Sequence, residues 1–312
     1  MKPQIIATTR IYERTQERLD REFHCHRLYE AKDRAATLKE LAHRVRALAT
    51  FGGGGADAAM MDALPKLEII SNFGVGVDAI DLVAAKQRGI IVTNTPDVLN
   101  DCVADTAFAL ALNVMRKFPQ AEQYLRSGYW ATRGPYPLST ALDGKTMGIL
   151  GLGRIGEAIA KRAIAFGMKV RYHNRRKKDA PYPYDPDPAA LAKNADVLVV
   201  VTPGGAETDR LVNAKVLDAL GPQGYLVNIA RGSVVDEPVL LRYLQQGKIA
   251  GAGLDVFADE PRVPAEFLAL DNAVLLPHVG SATVETRTAM GNLQVDNLLR
   301  HFAGKPVLTR VV

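Results

Sequence analysis

Cysteine is nearly missing: Cys25 and Cys102 are the only two in 312 residues, far apart and without a CxxC partner. That scarcity argues against a disulfide framework and the usual structural-zinc spacings, so no metal is expected, and it fits a reducing cytoplasm. Long apolar runs are missing too. No stretch approaches the ~18 consecutive apolar residues of a membrane span, and Met1-Lys2-Pro3-Gln4 passes directly into a strand-like Ile5-Ile6-Ala7-Thr8 without a signal-peptide core. A mature, soluble, cytoplasmic chain is the expectation. The excess of positive charge is small, 39 basic against 34 acidic residues, and scattered. With no zinc spacing and no basic aromatic sheet motif, nucleic acid is not an expected partner; a general attraction for small anions explains the excess as well. Repeats of solenoid length are absent. Tryptophan occurs once, and packing of its own loop is the simplest role for Trp130.

What is present is apolar material, 47% of the residues, in a chain about twice the length of a typical domain, so two cores are expected. Over residues 4–8, 38–46, 47–51, 57–64, 68–73, 82–88 and 90–94, short apolar runs alternate with helical patterns, which indicates a parallel sheet with crossover helices. A mainly apolar helix is predicted over 102–115, resuming at 120–126 after a break or kink at Pro119. Residues 127–141, with Gly128, Gly134, Pro135 and Pro137, read as a loop. A second βα series follows, with strands at 197–201, 225–229, 251–256 and 273–276 and a helix at 238–246. Four prolines make 177–188 a surface loop. The helical spacing of 283–302 lets the chain return to the first domain. The expected fold is therefore α/β, with two crossings between domains and the chemistry in the interdomain cleft.

Between the two series, an apolar run ending at Leu150 breaks into Gly151-Leu152-Gly153-Arg154-Ile155-Gly156 and then a helical pattern. In that context the glycines form a dinucleotide fingerprint. Gly151 allows the tight turn, Gly153 lets the backbone approach a pyrophosphate, and Gly156 lets the helix lie on the sheet, its N-terminus aimed at the phosphates. The next strand, 169–173, ends where an adenosine ribose would sit. Asn174-Arg175-Arg176 stands there in place of the acid common in NAD sites, and arginine suits the 2′-phosphate of NADP(H). A solvated basic loop is the plainer reading of Arg175, Arg176, Lys177 and Lys178.

Three later strands each deliver a chemically capable residue: Arg231 in Asn228-Ile229-Ala230-Arg231-Gly232, Glu260 after Gly253-Leu254-Asp255-Val256-Phe257, and His278 in Pro277-His278-Val279-Gly280. Hydride transfer to a ketone carbon needs a proton for the oxygen, which His278 can give. It also needs a cation to polarise the carbonyl and hold a carboxylate, which Arg231 can provide as a planar fork. Glu260 would hold and charge the imidazole. Singly, each has an ordinary explanation: a hydrogen-bonded core histidine, an ion-pairing arginine, a helix-start carboxylate. Their joint order beside a nucleotide fingerprint favours catalysis.

These motifs, together with Phe73-Gly74-Val75-Gly76-Val77-Asp78, Asn94-Thr95-Pro96 and Ser281-Ala282-Thr283, resemble the D-isomer-specific 2-hydroxyacid dehydrogenase family over nearly the whole chain. Within it they look most like the NADP-dependent glyoxylate/hydroxypyruvate reductases. The resemblance implies two Rossmann-like domains with parallel sheets: residues 1–98 plus 284–312 for substrate and 99–283 for the dinucleotide. It implies Arg231, Glu260 and His278 as catalytic, and the amides around Val75 and Gly76, with Arg231 and His278, as binding a small 2-keto acid. It implies Gly151 through Gly156, Asn174, Arg175, Arg176, Thr202, Pro203, Ile229, Ala230, Asp255 and Gly280 at the cofactor, with Asp255 toward the nicotinamide.

Formate dehydrogenases of this fold carry glutamine in place of Glu260, and NAD-dependent lactate and phosphoglycerate enzymes commonly keep an acid in place of Arg175. Two alternatives stay open: an NAD-dependent dehydrogenase of another D-2-hydroxy acid, and a nucleotide-sensing interaction protein similar to the corepressors of this fold. A homodimer is expected. The helix 102–115 is read as a dimer contact or an interdomain core helix, and in related reductases a loop tryptophan enters the partner's site, a second role open to Trp130.

Overall fold

Short runs rich in valine, isoleucine and leucine become the inner strands of two wholly parallel sheets, one in each of two α/β units: Met1–Leu99 with Ser281–Val312, and Asn100–Gly280. The computed structural model describes residues 2–312.

In the first unit, strands β1 (Gln4–Ala7), β2 (His24–Arg27), β3 (Val45–Phe51), β4 (Ile69–Phe73) and β5 (Ile91–Thr93) lie in the order β2-β1-β3-β4-β5. The direction of winding reverses between β1 and β3, the switch point at which such sheets open a crevice at their C-terminal edge. Three of the four α-helices between strands start on aspartates: Asp33, Asp57 and Asp81 accept the N–H groups of Ala36, Met60 and Ala84, satisfying first-turn donors that would otherwise lack partners. Asp33 also explains a shift from the pattern read at 38–46. The capped helix occupies Arg34–Leu41, and buried Val45 already belongs to β3. Strand β2, His-Cys-His-Arg, has no apolar alternation to announce it; it is an edge strand paired only with β1.

The C-terminal helix Val284–Phe302, capped by Thr283, belongs to this unit. Its buried Gln294 donates Nε2 to the carbonyls of Ser71 (2.8 Å) and Thr50 (3.1 Å), and Ser71 Oγ donates back to the Gln294 carbonyl (3.0 Å). Arg18 adds an ion pair to Asp296 at 2.6 Å. These bonds tie a segment from the end of the chain to strands near its start.

In the second unit, β6 (Thr146–Leu150), β7 (Lys169–His173), β8 (Val197–Val200), β9 (Tyr225–Asn228), β10 (Gly251–Leu254) and β11 (Ala273–Leu275) run in the order β11-β10-β9-β8-β6-β7. The winding again reverses between the first and third strands. All four valine and leucine side chains of β8 are fully buried, each worth roughly 1.5–3 kcal/mol in removal from water. The helix Asn100–Arg116 packs on the helix Arg154–Ala165 and on β9 and β10, with Phe108 and Phe166 rings 4.5 Å apart. It ends at Lys117, which takes a left-handed φ of +53°. Pro119 therefore does not make the break; it falls in the first turn of the next helix, Phe118–Arg126, where its missing N–H costs nothing. The stretch expected as a loop holds a short helix, Tyr129–Arg133, between Gly128 and Gly134. No helix among the described residues is long and apolar enough to cross a membrane.

Candidate active site

After Leu150 the chain turns through the left-handed region at Gly151 (φ +109°), whose N–H donates to the His173 carbonyl at 2.9 Å. A Cβ there would come within 3.0 Å of the Val201–Thr202 backbone at the end of β8. Gly153 caps the 12-residue helix Arg154–Ala165, and a Cβ built on it meets nothing within 4 Å. Open space thus faces the positive end of a helix, with exposed Arg154 and half-buried Ile155 beside it. One turn in, a Cβ on Gly156 would be 2.5 Å from the Gly151 carbonyl oxygen, so the helix lies against the strand only if that position lacks a side chain. The cradle fits the pyrophosphate of a dinucleotide.

Asn174, the first residue after β7, reaches back to this turn: its Oδ1 accepts the N–H of buried Leu152 at 2.6 Å. Arg175 is exposed and ion-paired with Glu207, from the turn that follows Thr202 and Pro203 after β8. Lys178 pairs with Glu157 in the first turn of the fingerprint helix. Arg176 is exposed and makes no ion pair among the described residues. The basic stretch is anchored at several points. The Tyr172 hydroxyl donates to the Lys178 carbonyl (2.6 Å) and accepts its N–H (3.0 Å), Tyr184 donates to the Asn174 carbonyl (3.2 Å), and the Tyr172 backbone pairs with Pro183 and Asp185. Residues 174–184 leave β7 and return to it as a closed excursion.

Arg231, Glu260 and His278 lie beyond β9, β10 and β11 of the same sheet. Glu260 Oε2 is 2.6 Å from His278 Nδ1, and Oε1 accepts the Phe257 N–H at 3.0 Å. Burial pushes the Glu260 carboxyl up, but the His278 hydrogen bond, the Phe257 amide and the charges of His278 and Arg231 outweigh it and hold the group below its ordinary value. Arg231 is half-buried and donates Nη1 to the Ala230 carbonyl at 2.7 Å. Its turn is set by buried Asn228, which accepts the Ala230 N–H (3.0 Å) and donates to the Arg231 carbonyl (2.9 Å); Ile229 and Ala230 between them are buried.

His278 has a left-handed φ of +53°, uncommon without glycine and costly unless its surroundings enforce it. Asp255 does so twice. Its carbonyl accepts the His278 N–H at 2.9 Å, and its carboxylate accepts the N–H groups of Val279 (2.7 Å) and Gly280 (2.8 Å). Burial raises the Asp255 carboxyl above its ordinary range, against the pull of those two amides.

In the first unit, Val75 and Gly76 follow β4. Asn72 Nδ2 donates to the carbonyls of Gly74 (3.1 Å) and Gly76 (2.8 Å), and Asn94 Nδ2 to that of Val75 (2.9 Å). With the carbonyls tied back, the Val75 and Gly76 N–H groups have no hydrogen-bond partner among the described residues.

Residues 108–280 match the NAD binding domain of the D-isomer specific 2-hydroxyacid dehydrogenases. Over 298 residues the chain is 48% identical to a hydroxyphenylpyruvate reductase of Plectranthus scutellarioides, covering 95% of each protein. The chain belongs to the D-isomer specific 2-hydroxyacid dehydrogenase family. It is also 48% identical over 295 residues to an Arabidopsis thaliana glyoxylate/hydroxypyruvate reductase A, covering 94% of each. Among solved structures it resembles the NADPH-dependent glyoxylate/hydroxypyruvate reductase of Sinorhizobium meliloti in complex with NADP and malonate, with a TM-score of 0.94 and 48% identity over 100% of this chain and 97% of that one.

In this family member the matched segment holds the fingerprint and the Arg231, Glu260 and His278 trio, whereas Val75 and Gly76 lie outside it. Sequence reasoning quoted Asn228 in a motif without giving it a role and passed over Asn72 and Glu207. Asn228 could have been noticed as an amide at the end of an apolar strand, where only a turn needs it. Glu207, in a polar turn, carries no such signal.

Proposed function

We propose that this dehydrogenase reduces small 2-keto acids with NADPH, glyoxylate and hydroxypyruvate being the first to test, to 2-hydroxy acids of D configuration where the carbon is chiral. The reading rests chiefly on the 2.6 Å Glu260–His278 pair, on the same sheet as a nucleotide cradle followed by arginines. Gly151 through Gly156 would hold the pyrophosphate, Asn174, Arg175 and Arg176 the adenosine ribose and its 2′-phosphate, and Thr202, Pro203, Ile229, Ala230, Asp255 and Gly280 the remainder toward the nicotinamide. Bound NADPH supplies the hydride. His278, its Nδ1 taken by Glu260, presents Nε2 to the keto oxygen and gives it a proton, while ionised Glu260 balances the imidazolium. Arg231 polarises the carbonyl and grips the substrate carboxylate; in the first unit, the Val75 and Gly76 amides are assigned as substrate-binding groups.

In this reading residues 1–98 with 284–312 bind substrate, residues 99–283 bind the dinucleotide, and the protein is a homodimer. The deciding experiment follows NADPH oxidation with glyoxylate, hydroxypyruvate and hydroxyphenylpyruvate. Turnover with at least one is expected. Turnover with NADH alone would point to an NAD-dependent relative, and NADPH binding without turnover of any keto acid to a nucleotide-sensing interaction protein.

A further inference from the structure

The two outer charges of the Arg175-Arg176-Lys177-Lys178 stretch are already engaged by carboxylates: Arg175 by Glu207 and Lys178 by Glu157. Glu207 comes from a different strand end, in the short turn Ala206–Thr208. That turn is fixed at its base by the Thr208 hydroxyl, which donates to the Pro203 carbonyl at 2.8 Å. Asn174, bound to Leu152 of the fingerprint, holds the start of the arginine pair beside the phosphate cradle. A 2′-phosphate arriving at Arg175 therefore meets an arginine already paired through Nη1 with an anion of this chain.

We propose that Glu207 is an internal counter-anion that competes with the 2′-phosphate for Arg175 and so sets how strongly the protein discriminates NADPH from NADH. This rests on the NADPH reading given above. The exchange is electrostatically costly in one direction only. NADPH must displace the carboxylate or share Arg175 with it, and the remaining like charge of Glu207 opposes the phosphate. NADH, with a ribose hydroxyl at that position, leaves the pair intact. Arg176, which pairs with no acid among the described residues, is the cation that engages the phosphate first. The arrangement lowers affinity for NADPH and for its oxidised product alike, which favours release after turnover.

The test is direct binding of NADPH and NADH to the full-length protein by fluorescence titration, at low and at about 0.3 M salt. For Glu207→Gln, tighter NADPH binding is expected, by up to about five-fold, the scale of an exposed ion pair, with NADH unchanged within about two-fold and the gain shrinking in salt. In the Arg175→Ala background, Glu207→Gln should change NADPH binding much less, since the partner of the competition is gone. Unchanged or weaker NADPH binding by Glu207→Gln, in a protein that otherwise prefers NADPH, overturns the inference alone and makes Glu207 an orienting partner of Arg175. A wild-type protein that binds both nucleotides equally well, with Glu207→Gln binding them equally well too, overturns the cofactor reading and this inference with it.

Discussion

His278 lies in the left-handed region and is hydrogen-bonded through Nδ1 to a carboxylate whose protonated form is disfavoured, which fixes its ring and leaves Nε2 for the proposed proton donation. Replacing His278 with alanine should lower turnover by about 10²-fold or more, while NADPH affinity measured by titration stays within a small factor. Near-normal turnover would exclude it as the donor. Glu260 adds a pH signature whose sign follows from its lowered pKa. A carboxyl held below its unfolded value stabilises the protein above that value, about 4.3–4.5, and the benefit drains away as pH falls through the lower, folded value. The wild type should therefore lead Glu260→Gln in urea midpoint at pH 7, and the lead should narrow toward pH 3.5. Because the side chain is 35% exposed, solvent screening keeps the difference below about 1 kcal/mol. A gap that widens in acid would contradict the assigned ionisation.

At the scale of elements, the fingerprint works through contact between a strand, a turn and a helix. Gly156→Ala puts a Cβ 2.5 Å from the Gly151 carbonyl oxygen, backbone that cannot swing aside like a side-chain tip. The helix must move off the strand, at a cost of typically 1–3 kcal/mol as in other overpacked sites, and its N-terminus leaves the phosphate position. A lower melting temperature together with weakened NADPH binding is expected; loss of stability with intact binding would mean the helix adjusts without moving its cap. The inner elements were legible in the sequence because burial on both faces writes continuous apolar runs: Lys169–His173 is found as read, and the strands of the second series within a residue or two at either end. Edges and turns were less so. Strand β2 pairs on one side only and needs no apolar alternation, and Lys117 ends a helix by a backbone conformation that its side chain does not advertise. In the site, Arg231, Glu260 and His278 were visible as polar residues following apolar strands. The role of Asp255 was not, because its carboxylate acts on two amides more than twenty residues away in sequence.

For the whole molecule, both units repeat one winding order, with the winding reversed between first and third strands, but only the second carries the glycine turn and the trio at its strand ends. The helix Asn100–Arg116, read from sequence as a candidate dimer contact, spends much of its apolar face on its own unit, against the fingerprint helix and β9 and β10. The apolar surface that remains lies just beyond it. Phe118, Leu125, Trp130 and Leu138 are 42%, 56%, 65% and 96% exposed within one short segment, more clustered than the isolated apolar residues of an ordinary surface. A second copy of the chain covering this segment would remove those side chains from water, and a stable interface of about 1,200–2,000 Å² has room for them. Sedimentation velocity at micromolar concentration should therefore give about twice the 33.8 kDa chain mass. Leu125→Glu combined with Trp130→Glu should shift the protein toward one chain mass, because burying two carboxylates without partners costs several kcal/mol. NADPH binding should survive in that variant, since the cradle at Gly151–Gly156 lies on other elements. A wild-type protein that sediments as a single chain would refute the homodimer, and a double variant that stays dimeric would move the interface elsewhere.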